Sequence, residues 1–509
     1  MPAPQTVTLT GAPLTRAEIE AVARAGADVA LAPTAEARVR AGRAALESAM
    51  ADGEPHYGCN TGFGAFARTR IADDDLSSLQ HNLIRSHAAG AGNDLPEDVV
   101  RAMLLLLAAS QSRGRSGVRP ELLNLIVAVL NAGITPCVPE LGSVGASGDL
   151  APLAHACLVL LGEGEATVQG KRVSGAAALR GAGLSPITLG AKEGLALING
   201  THLMAARLAL LSQDVAKLQH AATVATALSI EAAKASHGFL DPRVYEARNQ
   251  PGPARVAADL RGLLTGSAIV ESHTDDDPRV QDPYSFRCAP IVLGSAITAA
   301  DDCRRALEHE LGAVTDNPLV FEDESGAAIV SAGNFHGMPV AIPLDTLTIA
   351  LAHIAGIAER RTYHILSGFD AEAGLPKFLS PTPGLHSGLM IAQYTSAACC
   401  NEIIGLATPS SVANISTSAG VEDYNSFGPR AAAQAAQAAS RARTVLAIEL
   451  LVAVEGIEHH RPLRSGAAAE RAVEAVRRLV PAYNADRPPA PDITAIENLI
   501  ASGELLAAV

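Results

Sequence analysis

The chain's strongest constraint on its own fold is a series of long Ala- and Leu-rich stretches with few helix breakers. From Thr201 to Ser236 there is neither Gly nor Pro, within a run that extends from Lys192 to Gly238. The segments Ile291 to Ala313, Met338 to Ser367, Leu385 to Ile404 and Arg430 to Gly456 are similarly rich in Ala, Leu and Ile. Gly and Pro cost a helix interior about 1 and about 3 kcal/mol relative to Ala, so their scarcity and the periodic apolar residues favour long helices. The Lys192 to Gly238 run is expected as one helix or two abutting ones. Long helices with small apolar faces pack as up-down bundles, and an Ala-rich surface lets copies approach closely. The expected class is mainly α, and the chain is expected to self-associate.

The first part of the chain is punctuated more often. Thr15-Arg16-Ala17-Glu18 reads as a capping box. Periodic Leu, Ile and Val predict helices over Leu76 to Ala88, Pro96 to Ser112 and Pro120 to Asn131, and another over Asp149 to Leu161. Residues 51–70 and 132–148 read as loops on this scaffold. A hairpin is expected at Ala166 to Val173, as peripheral decoration. This places an N-terminal helical domain at 1–190, carrying active-site loops, before a long helical bundle with a C-terminal helical region at 191–509. Neither internal repeats nor low-complexity tails stand out.

Composition narrows the partners. A formal charge of −14 and the absence of a basic-aromatic run argue against nucleic acid. Apolar stretches such as Met103 to Ala109 are expected to stop short of a membrane span. The start Met1-Pro2-Ala3-Pro4-Gln5-Thr6 has no secretory pattern, so a cytoplasmic location is expected. Seven cysteines without Cys-x-x-Cys spacing indicate neither a disulfide frame nor a zinc ribbon. His309 between two glutamates, and the adjacent His459 and His460, point to different faces of a helix and are not expected to bind metal. A small molecule or another copy of the chain remains as partner.

One loop carries unusual chemistry. Ala146-Ser147-Gly148 lies within the run Gly142 to His155. If the Gly148 amide nitrogen attacks the Ala146 carbonyl carbon, and two waters are lost, Ser147 becomes an exocyclic methylene conjugated to a ring carbonyl. The attack requires a tightly bent backbone and an attacker without a Cβ. The product is a carbon electrophile, which no ordinary side chain supplies. Alone, the tripeptide is equally a small-residue turn entering a helix.

Several separated blocks give that turn a context. Tyr57-Gly58-Cys59-Asn60-Thr61-Gly62-Phe63-Gly64, Ser86-His87-Ala88-Ala89-Gly90, the Gly142 to His155 run, Lys192 to Thr201, Val280 to Cys288 and Gly333-Asn334-Phe335-His336 follow in order across most of the chain. Together they resemble the aromatic amino acid ammonia-lyases, in particular the histidine-acting ones, which build a methylidene-imidazolone (MIO) cofactor from Ala-Ser-Gly. The resemblance implies an ammonia-lyase/fumarase-like helical fold and a homotetramer whose active sites draw residues from three subunits. It also implies elimination of ammonia from L-histidine to give trans-urocanate, with no metal or diffusible cofactor.

The roles carried over are as follows in this numbering. Ala146, Ser147 and Gly148 would form the cofactor, and Tyr57 would remove the substrate β-proton. Arg287 would clamp the substrate carboxylate, as a guanidinium does with two parallel charged hydrogen bonds. Asn199 and Gln281 would hold the cofactor carbonyl or the substrate's polar groups. Tyr284 would stand close to the methylidene and Phe335 would shield it. His87 and Glu422 point to histidine: the phenylalanine and tyrosine enzymes more usually carry Phe-Leu or His-Leu at Ser86-His87 and tend to carry Gln at Glu422. A polar His87 would be left unpaired against a phenyl ring, and a carboxylate can accept an imidazole N–H or assist the departing amine.

Cys59, Gly420, Val421 and Tyr424 depart from the family pattern, and are expected near the pocket. Tyrosine or phenylalanine as substrate, or an aminomutase that returns the amine to the β-carbon, remain as alternatives. A catalytically dead homologue is disfavoured by the joint presence of Ser147, Tyr57 and Arg287.

Overall fold

The computed structural model describes residues 6–274, 277, 279–324 and 326–509. Most of the N-terminal stretch read above, residues 1–5, lies outside them. Helices dominate and the strands are short, as the mainly α expectation requires. The chain divides into two compact units. The first comprises Met1–Leu210, Arg304–Leu344 and Ser410–Ala433; the second comprises Leu211–Cys303, Asp345–Pro409 and Gln434–Val509. This differs from a single cut after residue 190. Four of the five boundaries fall inside the helices His202–Ala232, Ala289–Glu310, Met338–Ser367 and Gly428–Glu458, and the fifth, after Pro409, lies in a loop. The helix Met338–Ser367 runs on through Pro343 beside such a boundary, so local Gly/Pro punctuation does not report it.

In the first unit the helix Arg16–Ala23 starts at the expected capping box. The Glu18 N–H donates to Thr15 Oγ1 at 3.2 Å, and the Thr15 N–H donates to the Glu18 carboxylate at 2.7 Å. Helices Leu76–His87, Glu97–Gln111 and Pro120–Asn131 match the apolar periodicities closely. Every residue from Ala102 to Gln111 is buried, so Glu97–Gln111 forms the centre of this unit's core. Pro120 occupies the first turn of its helix, where its missing N–H costs nothing. The expected Asp149 to Leu161 helix is Leu150–Leu158 followed by a 3₁₀ turn, Val159–Leu161.

The hairpin forms from Glu165–Val168 and Lys171–Ser174, with Val168 paired to Lys171. Gln169 and Gly170, both at positive φ, make the turn that a two-residue hairpin needs. It is less peripheral than expected, because the buried strand Ile134–Pro136 pairs with it as a third strand. A second hairpin, Leu319–Asp323 with Gly326–Val330, was not legible in the sequence.

In the second unit, Pro251–Leu264 buries Val256, Ala257, Leu260, Leu263 and Leu264 along one helical face. It packs against Ala467–Arg477, which buries Ala469, Ala472, Val473 and Val476. Arg361 and Glu449 are both fully buried and joined side chain to side chain, with Arg361 Nη2 3.0 Å from Glu449 Oε2. Ser229 Oγ donates to the same carboxylate at 2.8 Å, so the buried charges are paired and hydrogen-bonded. One apolar stretch does reach membrane-spanning length, contrary to expectation: Met338–Ser367 is long and apolar enough, and 56% of its most apolar window is buried inside the protein.

Candidate active site

The long run from Lys192 to Gly238 is broken where the chemistry requires it. A short helix, Glu193–Ile198, ends at Asn199, and the next helix begins at His202. The short helix is held by buried polar contacts. Lys192 Nζ pairs with Asp316 at 2.5 Å, both side chains being inaccessible, and Glu193 takes hydrogen bonds from the Arg119 guanidinium and from the Gly190 N–H at 2.7 Å. Gln80 Oε1 accepts the Gly194 N–H at 2.9 Å. Asn199 and Gly200 are thereby fixed as a rigid edge.

Against that edge lies the tripeptide loop. Gly148 has φ +75° and its backbone bridges to that of Gly200. A Cβ on Gly148 would meet the Gly200 carbonyl oxygen at 2.1 Å, so only glycine fits. The Asp149 N–H donates to the Gly200 carbonyl at 2.7 Å. In return the Gly200 N–H and Asn199 Nδ2 donate to the Ser147 carbonyl oxygen, at 3.3 and 3.0 Å. Ala146 and Gly148 are buried, while Ser147 is partly open. Asn199 Oδ1 has no hydrogen-bond partner among the described residues, which leaves an acceptor beside Ser147.

Asp149, next to Gly148, fixes the end of the tripeptide loop, and no motif in the sequence points to that role. It begins the helix Leu150–Leu158 but does not cap it. Its Oδ2 instead accepts the N–H groups of Leu203 and Met204, at 2.9 and 3.2 Å, at the start of the helix His202–Ala232. Burial pushes its carboxyl up to about 7, against the opposing pull of these bonds and of one from Ser143. The only local signal was a carboxylate next to Gly148. Its target lies over fifty residues away along the chain, at a distance no local pattern reports.

Tyr57 stands on a loop stitched by its own side chains. Asn60 Oδ1 accepts the His56 N–H at 2.7 Å, Asn60 Nδ2 donates to the Glu54 carbonyl at 2.9 Å, and Thr61 Oγ1 accepts the Gly58 N–H at 3.2 Å. The Gly64 N–H donates to the Tyr57 hydroxyl oxygen at 3.3 Å. His87 ends the helix Leu76–His87, and its Nδ1 lies 2.9 Å from the Leu83 carbonyl. Ser86 Oγ lies 3.1 Å from the same nitrogen, and with its proton on Nδ1 the neutral ring donates to the carbonyl and keeps its lone pair on Nε2. Burial lowers the His87 pKa, with Glu422 opposing the shift. Glu422 closes a tight loop by pairing with Thr417.

These residues meet in two adjoining cavities within the first unit, of about 710 and 400 Å³. Tyr57, Gly64, Ser147, Asn199 and Glu422 line both. His87, Phe63, Phe66 and Leu83 wall the larger one, and Phe335, Asn317, His336 and Tyr424 the smaller. Phe335 is held by its neighbour Asn334, whose Nδ2 donates to the Val314 carbonyl at 3.0 Å. Among expected site residues, Tyr57, His87, Ala146, Ser147, Gly148, Asn199, Phe335 and Glu422 thus belong to one unit.

Gln281, Tyr284 and Arg287 belong to the second unit and line neither cavity. Gln281 and Tyr284 are exposed, Tyr284 to 70%. The Arg287 guanidinium lies over the Tyr284 ring, 4.5 Å from its centroid, and its Nε donates to the Asp282 carbonyl at 3.0 Å.

Of the departures from the family pattern, Val421 and Tyr424 line the smaller cavity. Gly420, at φ +86°, serves the sharp Thr417 to Glu422 turn and lines neither cavity. Cys59, expected near the pocket, is fully buried in a core cluster with Ala45, Leu46 and Val320, and burial pushes its thiol up to about 11.

A mainly helical scaffold that presents loops around a glycine-clamped serine has the fold of the helical lyases. A family model described as aromatic amino acid lyase matches residues 14–478, and the chain belongs to that family. It is 48% identical to a histidine ammonia-lyase from Sorangium cellulosum over 507 residues, covering 98% of each chain. Among solved structures it is similar to a histidine ammonia-lyase from Trypanosoma cruzi, with a TM-score of 0.91, 38% identity and coverage of 99% and 95%. A tyrosine aminomutase from Streptomyces globisporus gives a TM-score of 0.92 at 34% identity, covering 99% and 98%.

Proposed function

We propose that this chain is a carbon–nitrogen lyase that eliminates ammonia from L-histidine to give trans-urocanate, using a methylidene-imidazolone formed from Ala146, Ser147 and Gly148. The observation that carries this reading is that Ser147, its carbonyl held by Asn199 and Gly200, opens into a cavity shared with Tyr57, His87 and Glu422. The residues fit the cofactor. Gly148 sits where only glycine can, at a positive φ, and the Ser147 oxygen that would become the ring carbonyl already has two donors. When formed, the group supplies an electrophilic carbon conjugated to that carbonyl.

The protein's own groups divide the remaining work. Asn199 and Gly200 direct two N–H donors at the Ser147 oxygen, where they favour negative charge. His87 Nε2 accepts an N–H of the substrate imidazole, a bond that a phenyl ring cannot make. Tyr57 takes the β-proton, and the Gly64 N–H supports the oxygen that receives it. Glu422 stands beside both cavities, placed to receive an imidazole N–H or to hand a proton to the departing amine. Phe335 shields the Ser147 side of the smaller cavity.

Arg287, Gln281 and Tyr284 complete the site from a neighbouring subunit of a homotetramer. There Arg287 clamps the substrate carboxylate, Gln281 binds a polar group, and Tyr284 approaches the methylidene. The enzyme works in the cytoplasm, on a small amino acid.

Incubation with L-histidine, L-tyrosine and L-phenylalanine in separate reactions, with ammonia and product measured, tests this reading. Ammonia and urocanate from histidine support it. A β-amino acid product overturns the lyase assignment, and turnover of tyrosine without histidine overturns the substrate. Ser147→Ala is expected to abolish turnover and leave the oligomer folded.

A further inference from the structure

Behind the Asn199–Gly200 edge lies a small cavity of about 20 Å³, lined by Ser110, Arg113, Thr201, His202, Glu310 and Thr315 among others. One water needs roughly 10–15 Å³ of such space, and an amino acid far more. His202 is 5% exposed, and neither of its ring nitrogens has a hydrogen-bond partner among the described residues. Burial, with a smaller contribution from Arg113, lowers its pKa to about 3, so the ring is neutral and offers one donor and one acceptor. Glu310, its pKa raised by burial, receives the Thr201 hydroxyl. A polar cavity with unpaired buried nitrogens on its wall is the setting in which proteins hold structural water.

The same side chains press on the catalytic edge. A Cβ on Gly200 would meet His202 Cε1 at 2.6 Å and Thr315 Oγ1 at 2.6 Å, while Gly148 closes on Gly200 from the other side. The Thr201 N–H donates to Thr315 Oγ1 at 3.2 Å. Gly200 is clamped between the tripeptide loop and the wall of this cavity.

We propose that His202, through one water shared with Glu310 in this cavity, is a positioning residue that holds Asn199 and Gly200 against the Ser147 carbonyl. It touches neither substrate nor the reacting atoms. Its effect falls on how completely the tripeptide is converted and how well the carbonyl is held. The proposal rests on the reading of Ala146-Ser147-Gly148 as the source of the electrophile.

The experiment compares the wild type with His202→Leu, His202→Gln and Glu310→Met. For each purified protein, mass spectrometry of the peptide carrying residues 146–148 gives the fraction that has lost two waters. kcat, KM and Tm are measured alongside. His202→Leu is expected to lower kcat at least tenfold with KM within twofold, and to leave a clear undehydrated fraction. His202→Gln, which keeps a donor and an acceptor, restores both while Tm is the same in the two variants. Glu310→Met, which keeps the approximate size of the side chain but removes its oxygens, lowers both readouts severalfold and serves if His202→Leu does not fold. A crystal structure should show a water within hydrogen-bond distance of both His202 and Glu310.

Wild-type dehydration and kcat in His202→Leu and Glu310→Met overturn the proposal. Equal losses in the Leu and Gln variants that track Tm also overturn it, because they show a merely space-filling ring. A dry cavity in the crystal does the same. A wild-type chain with no loss of two waters overturns the reading beneath the proposal, and the proposal with it.

Discussion

The side-chain amide of Asn199 donates to the backbone carbonyl of Ser147 at 3.0 Å, across fifty-two positions of sequence. With the Gly200 N–H at 3.3 Å, it makes a pair of donors aimed at one oxygen. Such preorganised donors are worth most where charge develops, and removal of one typically costs about 10²–10³ in kcat. Asn199→Ala should therefore lower kcat by about that factor, with KM little changed. An Asn199→Ala enzyme within threefold of wild-type kcat would show that the bond is merely structural.

His87 and Glu422 should decide which ring is accepted. His87→Leu removes the acceptor that a substrate imidazole would use and leaves an apolar wall among Phe63, Phe66 and Leu83. The ratio of kcat/KM for histidine over phenylalanine is expected to fall by about 10²-fold, the scale of one lost specific polar contact. Glu422→Gln should reduce histidine turnover strongly while leaving the oligomer intact by size-exclusion chromatography. Unchanged substrate ratios in both variants would remove the basis for a histidine-specific pocket.

Ser147 and Arg287 lie in different compact units. If each active site draws Arg287 from a neighbouring subunit, Ser147→Ala and Arg287→Met are each inactive alone, yet co-expressed chains form some sites with both residues intact. Activity of the mixed oligomer should rise well above that of either variant. Mixed oligomers no more active than their parents would confine each site to one chain.

Asp149 should make stability depend on pH. Its folded pKa is raised, to about 7 from 3.8, so its contribution is fully present below the unfolded value and is lost as pH rises through about 7. Asp149→Asn keeps an oxygen for the Leu203 and Met204 N–H groups but does not titrate. In urea unfolding, the stability of the wild type relative to Asp149→Asn should decline between pH 4 and pH 8, by on the order of a few kcal/mol. A difference that stays flat or grows with pH would refute the raised pKa.

Much of the helical framework was legible residue by residue. Pro120–Asn131 and Met338–Ser367 fall where the apolar periodicity put them, because helical spacing is a local property and Gly and Pro mark its ends. Of the two forms expected after Lys192, one helix or two abutting ones, the structure has the second: Glu193–Ile198 and His202–Ala232, parted at Asn199 to Thr201. Hydrogen bonds from Asn199 and Gly200 to the Ser147 carbonyl, from the Asp149 N–H to the Gly200 carbonyl and from the Thr201 N–H to Thr315 Oγ1 hold the break open. Cys59 shows an error: proximity in sequence to Tyr57 suggested the pocket, and packing with Ala45, Leu46 and Val320 placed it in the core.

By itself, the sequence determined the helical class, the small-residue turn Ala146-Ser147-Gly148 and the polar residue types available around it, since these depend on residue type and short spacing. Tertiary structure alone decided that Asn199 and Gly200 meet the Ser147 carbonyl, that Asp149 caps a distant helix, and that Gln281, Tyr284 and Arg287 fall in a separate compact unit. Those outcomes depend on which buried polar groups find partners across the fold, and a partner tens of residues away leaves no periodicity to read.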